Sequence, residues 1–336
     1  MADTNAELRL GTRGSQLALW QANAVAARLQ ETAGRSCRVI VIRTSGDRLQ
    51  DAPLSEVGGK RLFVKEIEDA LLRDEIDLAV HSSKDMPAIL PDGLTIGAVL
   101  AREDPLDAIV LPHTVRLKPD TTYEPEMSFN DVVAALGESP SVGTSSVRRI
   151  AQLTRLFPRA RFTPIRGNLD TRLRKLDGSE YDAIVLAAAG LRRLGMGSRI
   201  SARVPSSVCV PAPGQGIVAI EIRKSDTRTS AAVRPIDDRE SHAALDAERA
   251  VVETLGGGCQ TPIGALASTI ALDELELVAV VVSLDGRRAI SGMGHGKPAD
   301  AGAIGASVGA QLLRDGAGDI LAEADGSRAA VEGIQP

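Results

Sequence analysis

Aromatic side chains are scarce in this 336-residue chain: four Phe, two Tyr and one Trp, 2% of the total. Hydrophobic residues still make up 43%, so a sizeable core can form, but Leu, Ile, Val and Ala have to fill it. Cysteine is rarer. Cys37, Cys209 and Cys259 are odd in number and lack paired spacing, which argues against a disulfide framework. No Cys-x-x-Cys pair occurs and the four His are scattered, so no structural metal site is expected. No apolar run is long enough to span a bilayer, and residues 1–7 lack the apolar stretch of an export signal. The chain reads as a cytoplasmic protein of two or three domains. Neither Gly-rich nucleotide fingerprint, the P-loop or the dinucleotide type, is present.

Lysine is also short, with 7 Lys against 32 Arg. Arginine is the side chain whose planar fork matches carboxylate or phosphate with two parallel bonds. The net charge of −5 gives no reason to expect nucleic-acid binding, but its distribution is uneven. Residues 148–203 carry twelve Arg and one Lys against four acids, whereas residues 236–336 carry seven basic groups against sixteen acids. A middle segment that gathers Arg while the tail gathers acid points to an anionic small-molecule ligand.

Local patterns give an α/β organisation. Residues 8–10 read as a strand, 16–32 as a helix capped by Ser15, 38–43 as a strand, 65–73 as a helix and 76–80 as a buried strand. The alternation restarts with strands at 141–143, 161–165 and 183–187 and helices at 146–156 and 169–176, implying a second α/β domain. Residues 111–125, rich in Pro, Thr and charge, read as a linker. Residues 217–222 form one more apolar strand, a candidate to return to the first sheet. A third, α+β region follows: a helix at 241–254, strands at 263–267 and 275–283, a turn at Asp285-Gly286, a strand at 289–290 and a helix at 301–313.

Several polar constellations sit where such a fold binds ligands. In Gly143-Thr-Ser-Ser-Val-Arg-Arg149 a strand ends, a helix begins, and two cations oppose the helix dipole. That makes sense if an anion binds among the free N–H groups and the two guanidinium groups; solvated Arg at an exposed helix start is the plain alternative. Arg166, Arg172 and Arg193 stand at or after strand ends, where open α/β sheets bind ligands. Gly11-Thr-Arg-Gly-Ser15 repeats the theme with Arg13 and Ser15. His81-Ser-Ser-Lys-Asp-Met-Pro87 brings Lys84 and Asp85 to the end of an apolar strand. There an ionised Asp85 can stabilise a developing cation and take its proton, or simply pair with Lys or Arg. Leu255-Gly-Gly-Gly-Cys-Gln-Thr-Pro262 puts Cys259 on a glycine-rich loop that something bulky can approach, suited to covalent attachment. Cys37 and Cys209 read as small buried hydrophobes.

Taken together and in order, these segments resemble the porphobilinogen deaminase family: residues 11–19, 59–66, 81–87, 143–149, 166–168, 186–194, 213–216 and 258–264 carry the likeness. The resemblance implies two α/β domains like type II periplasmic binding proteins plus a smaller α+β C-terminal domain. The limits expected are 1–112 with 216–234, 113–215, and 235–336. It implies a dipyrromethane cofactor joined by a thioether to Cys259. Four porphobilinogen molecules add to it head to tail, each losing ammonia, before water releases hydroxymethylbilane. By the same resemblance Asp85 is catalytic, offsetting the azafulvenium cation, and Asp85, Lys84, Arg148, Arg149, Ser146 and Ser15 hold the cofactor. Arg13, Ser15, Arg149, Arg166, Arg172 and Arg193 bind the substrate's carboxylates. Each porphobilinogen carries an acetate and a propionate, which accounts for an Arg-lined cleft in an acidic protein. The 114–139 segment is longer than the family's usual connection. A monomer is expected, with no membrane or nucleic-acid partner.

Two other functions fit parts of the pattern. An anion-binding module would use the Arg clusters but needs neither Asp85 nor the Cys259 loop. A thiol-dependent transferase would use Cys259 as a transient nucleophile and leave it alkylatable.

Overall fold

The computed structural model describes residues 7–45, 64–113, 127–258 and 260–332. Part of the 59–66 motif, most of the first half of the 114–139 connection, and Cys259 itself lie outside the described residues.

Two five-stranded sheets and one three-stranded sheet organise the chain. In the first, β1 (Leu8–Thr12) runs parallel to β2 (Cys37–Val41) and to β3 (Leu78–Ser82). Next comes β10 (Val218–Arg223), antiparallel to β3 and to β4 (Leu94–Val99). The late apolar strand therefore does return to the first sheet. Helix α1 (Gln16–Ala33) covers one face, burying Gln21, Ala22, Val25 and Leu29 at helical spacing. Ser15 caps its start by accepting from Ala18 N, and Gly34 ends it in the left-handed conformation. Helix α2 (Lys65–Leu72) buries Ile67, Ala70 and Leu71 against the other face, where Ile76 and Ala79 lie.

The second sheet repeats the plan. Strand β6 (Ser141–Gly143) is parallel to β7 (Arg161–Thr163) and β8 (Ala183–Ala187). Strand β5 (Asp107–Val110) is antiparallel to β8 and to β9 (Ala202–Val204). Helices α3 (Phe129–Leu136), α4 (Val147–Leu153), α5 (Leu169–Asp177) and α6 (Ala188–Arg193) accompany it. The expected division after residue 112 needs correcting here, because β5 hydrogen-bonds within the second sheet. An apolar run such as Ala-Ile-Val shows that a strand forms, but not which sheet it joins.

The chain consequently crosses between the sheets twice, through residues 100–106 and 205–217, and the crossings touch. Glu103 N donates to Gly216 O at 3.0 Å. A Cβ on Gly216 would stand 2.2 Å from Glu103 O, and its φ is +89°, so only glycine serves there.

Helix α7 (Thr227–Val233) leads to the third unit. There α8 (Arg239–Thr254), α9 (Ala301–Arg314) and α10 (Ala317–Glu332) accompany an antiparallel sheet of β11 (Ile263–Ala271), β12 (Glu274–Val282) and β13 (Ala289–Gly296). Its core is a cluster of Ala, Val, Leu and Ile from all three strands and three helices, as the shortage of aromatics requires. Helices α8 and α9 pack closely enough that a Cβ on Gly305 would meet Ala247 O at 2.1 Å. Glu248 of α8, fully buried, ties this unit to the crossings. Its carboxylate accepts from Arg102 Nη1 (2.6 Å), Gly214 N (2.5 Å) and Ala267 N (2.8 Å).

Candidate active site

Two adjoining cavities open where the strand ends meet. The first, of about 560 Å3, is lined by Ser83, Lys84, Ser146, Arg148, Arg249, Gly258 and Thr261 among others. The second, of about 420 Å3, is lined by Arg13, Ser15, Gln21, His81, Ser82 and Asp85. The tight turn after β3 sends the consecutive residues Lys84 and Asp85 into different cavities, so the two form one divided cleft. Gly258 places the chain next to Cys259 at the first.

Asp85 is exposed to the cleft and takes no hydrogen bond or ion pair from any described residue. Its charge is felt by Lys84 and by Arg172. Burial of the Lys84 ammonium, reinforced by Arg149 and Arg148, pushes its pKa down to about 8 despite Asp85 and Asp107. By area the residue is only part-buried, but its sole hydrogen bond among the described residues is to Gln215 Oε1 at 3.4 Å. Such an ammonium is poised to gain from an incoming anion. Arg172 is lowered as well, first by burial and then by Arg149 and Arg166, with Asp85 opposing. Arg149, Arg166, Arg172 and Asp85 therefore share one electrostatic neighbourhood.

Arg148 and Arg149 are not the solvated cations of an exposed helix start. Helix α4 is under two turns long, and Ser146 caps it by accepting from Arg149 N at 3.4 Å. Neither guanidinium is solvated at an open helix start. Both are buried and turn onto Asp107, at 2.8 Å in each case. Burial would raise the Asp107 carboxyl, but Arg148 and Arg149 outweigh it and hold it far below the usual carboxylate range. The same pairing raises Arg148 against the effect of burial. Ser83 and Arg148 both line the first cavity, and each keeps one buried polar atom, Ser83 Oγ and Arg148 Nε, without a hydrogen-bond partner among the described residues.

Arg193 lines neither cavity. Its Nη2 donates to Gly216 O at 2.6 Å, and its guanidinium carbon lies 5.6 Å from the centre of the Trp20 ring. Burial lowers its pKa, with Glu103 opposing. The side chain thus spans from α6 of the second sheet to α1 of the first.

Sequence reasoning passed over Asp107, Gln215, Ser83 and the buried pair His81–Glu221, whose Nε2 and Oε2 lie 3.1 Å apart. Asp107 had a readable signal, an acid at the mouth of the apolar run Ala-Ile-Val. The two described thiols are not activated. Burial pushes Cys209 up to about 12 and Cys37 up to about 11, so both stay protonated and weakly nucleophilic.

The family model for "Porphobilinogen deaminase, dipyromethane cofactor binding domain" matches residues 8–231, and that for "Porphobilinogen deaminase, C-terminal domain" matches residues 243–314. The chain belongs to the porphobilinogen deaminase family. It is 44% identical over 321 residues to the porphobilinogen deaminase of Syntrophobacter fumaroxidans, covering 95% of this chain and 98% of that one. With the porphobilinogen deaminase of Acidithiobacillus ferrooxidans it shares 45% over 315 residues, covering 94% and 97%. Among solved structures, the periplasmic VFT2 domain of Bordetella pertussis BvgS covers 69% of this chain and 86% of its own, with 17% identity and a TM-score of 0.38. The enzyme is a transferase that condenses porphobilinogen and carries a dipyrromethane cofactor. The residues of the first cavity suit that group: cations and unpaired donors for its carboxylates, beside the chain position that precedes Cys259. No helix among the described residues is long and apolar enough to cross a membrane.

Proposed function

We propose that the divided cleft is the site of pyrrole assembly, with Cys259 holding the dipyrromethane by a thioether. Lys84, Arg148, Arg149, Ser146 and Ser15 bind the cofactor's carboxylates, and Arg13, Ser15, Arg149, Arg166, Arg172 and Arg193 bind those of arriving substrate. The observation that carries this reading is one cavity lined by Ser83, Lys84, Ser146, Arg148 and Arg249 and bordered by Gly258. When bound, the dipyrromethane supplies the pyrrole carbon to which the first substrate is joined. Asp85 places its Oδ atoms on pyrrole N–H groups, offsets positive charge on the substrate as ammonia leaves, and accepts a proton. Its lack of any other partner among the described residues keeps both oxygens available. Arg193, engaged with Gly216 O and Trp20, has to leave that contact to reach a substrate carboxylate. The three domains act together, the third presenting Cys259 to the cleft between the other two, in a cytoplasmic monomer.

The test is the intact mass of denatured protein from a haem-producing host, with peptide mapping around Cys259. An excess equal to a dipyrromethane on that residue supports the reading. An unmodified chain that stays unmodified after incubation with porphobilinogen overturns it.

A further inference from the structure

We propose that Asp107 is a positioning residue of this enzyme, fixing how Arg148 and Arg149 face the cleft and, through Gln215, linking that setting to Lys84 and to the crossing segments. The inference rests on the reading of the two arginines as carboxylate binders.

Arg148 and Arg149 are consecutive, buried cations. Without a shared anion they repel each other and seek water. Asp107, on the first residue of β5, supplies that anion with both oxygens. Oδ1 accepts from Arg148 Nη2 (3.1 Å), Arg149 Nε (3.0 Å), Arg149 Nη2 (2.8 Å) and Gln215 Nε2 (2.9 Å). Oδ2 accepts from Arg148 Nη1 (2.8 Å) and from the Cys209 thiol (3.4 Å). Backbone carbonyls complete the clamp: Val210 O takes Arg148 Nη1 and Val185 O takes Arg149 Nη1, each at 2.8 Å. Each guanidinium has five N–H donors in a rigid fork. With the outer nitrogens of Arg148 held this way, only its Nε is left unpaired, and the side chain is fixed where it lines the first cavity. The carboxylate thus fixes the orientation of both guanidinium groups at the cleft. It also cancels one of two positive charges, so the pair presents a net single charge.

Gln215 carries the setting further. Its Nε2 also donates to Pro105 O at 2.7 Å, and its Oε1 accepts from Lys84 Nζ at 3.4 Å. Pro105 belongs to one crossing segment and Gln215 to the other. A continuous line of polar contacts therefore runs from the end of β3 in the first sheet to β5 in the second. A merely structural ion pair needs one arginine and no link to the cleft lysine.

The test uses full-length Asp107→Glu and Asp107→Asn enzymes from a haem-producing host. The readouts are the fraction of intact protein carrying the cofactor mass, KM and kcat per loaded molecule, and the melting curve. Asp107→Glu keeps the charge and shifts the carboxylate by one methylene, so the fold is retained. It should lower the loaded fraction and raise KM for porphobilinogen roughly ten-fold, the size of one misoriented charge-assisted contact. Asp107→Asn should lose more of both. Wild-type loading and KM in Asp107→Glu overturn the proposal. So does an Asp107→Asn protein that melts lower yet is fully loaded with unchanged KM. If Asp107→Asn fails to fold, the Asp107→Glu readouts decide. Arg148→Gln and Arg149→Gln separate the two layers. Wild-type loading and KM in both remove the carboxylate-binding reading itself, whereas losses there with none in Asp107→Glu remove only the positioning role.

Discussion

Glu248 offers the sharpest test of what holds the third unit to the rest. Its carboxylate is fully buried, pairs with an Arg102 side chain that is 11% exposed, and also accepts from the amides of Gly214 and Ala267. Glu248→Gln keeps the shape but removes the charge, leaving the Arg102 guanidinium and one backbone donor poorly matched. Removing one partner of a buried pair costs about 3–5 kcal/mol, because the other charge stays behind without compensation. Unfolding entropy of about 2.1 cal/mol/K per residue gives about 0.7 kcal/mol/K for a chain this long, so Tm should fall by about 4–7 °C. Were the third unit to melt separately, its smaller entropy would make the fall larger. The assay is a calorimetric or circular-dichroism melt of wild type and variant at one pH. The control is Glu276→Gln, whose carboxylate sits 3.9 Å from His295 with both side chains well exposed. That pair should contribute no more than about 1 kcal/mol. A Glu248→Gln melt within a degree of wild type would refute the argument that this carboxylate staples the unit in place.

Two further outcomes follow from the cleft. Asp85→Ala should lose about 10²–10⁴ in kcat, the usual worth of positioned acid–base help, while its melt matches wild type because Asp85 is exposed and bonded to no described residue. Turnover within ten-fold of wild type would sink its catalytic assignment. Lys84, with a pKa of about 8, is a cation below that pH and loses its charge above it. The rate at which cofactor-free chain is loaded on incubation with preformed dipyrromethane precursor should therefore fall as pH is raised from 7 to 9.5, and the fall should vanish in Lys84→Gln. On the fold the sign is opposite. A lysine value below the ordinary one means the folded state disfavours the charged form, so this group's cost is full below about pH 8 and fades as pH rises toward its unfolded value. A flat loading profile across that range would contradict the assignment of Lys84 to the cofactor's carboxylates.

Much of this arrangement could be read from the chain because its elements are locally consistent. Strand β8 is an apolar run, β12 ends in one, and Ser15 caps its helix as its side chain suggests. What escaped was set by distance along the chain. Asp107 meets Arg148 across 41 residues and Gln215 across 108, so a lone acid before Ala-Ile-Val looks like a strand boundary rather than a hub. Arg148 and Arg149 looked available because cations near a helix start normally are, and their acceptor lies on another strand. The limit expected at residue 112 put β5 with the first domain, because its pairing with β8 and β9 depends on tertiary contacts rather than on pattern. Helix α10 went unread because Ala317–Glu332 is rich in Ala, Gly and acids and has a weak apolar face. Arg193 was assigned to substrate on its place after β8, while its contact with Trp20 depends on how the two sheets face each other.

The two crossing segments also have a kinematic consequence. A body attached at one point can swing and twist in any direction. A body attached along two adjacent strands, stapled by Glu103 N to Gly216 O and by Gln215 to Pro105, keeps one easy freedom, rotation about the line through both. The mouth opposite that line can widen or narrow while the walls near it hold nearly constant spacing. Lys84, Gln215 and Asp107 sit close to the axis and Asp85 follows Lys84 directly, so these groups would keep their mutual geometry through such a rotation.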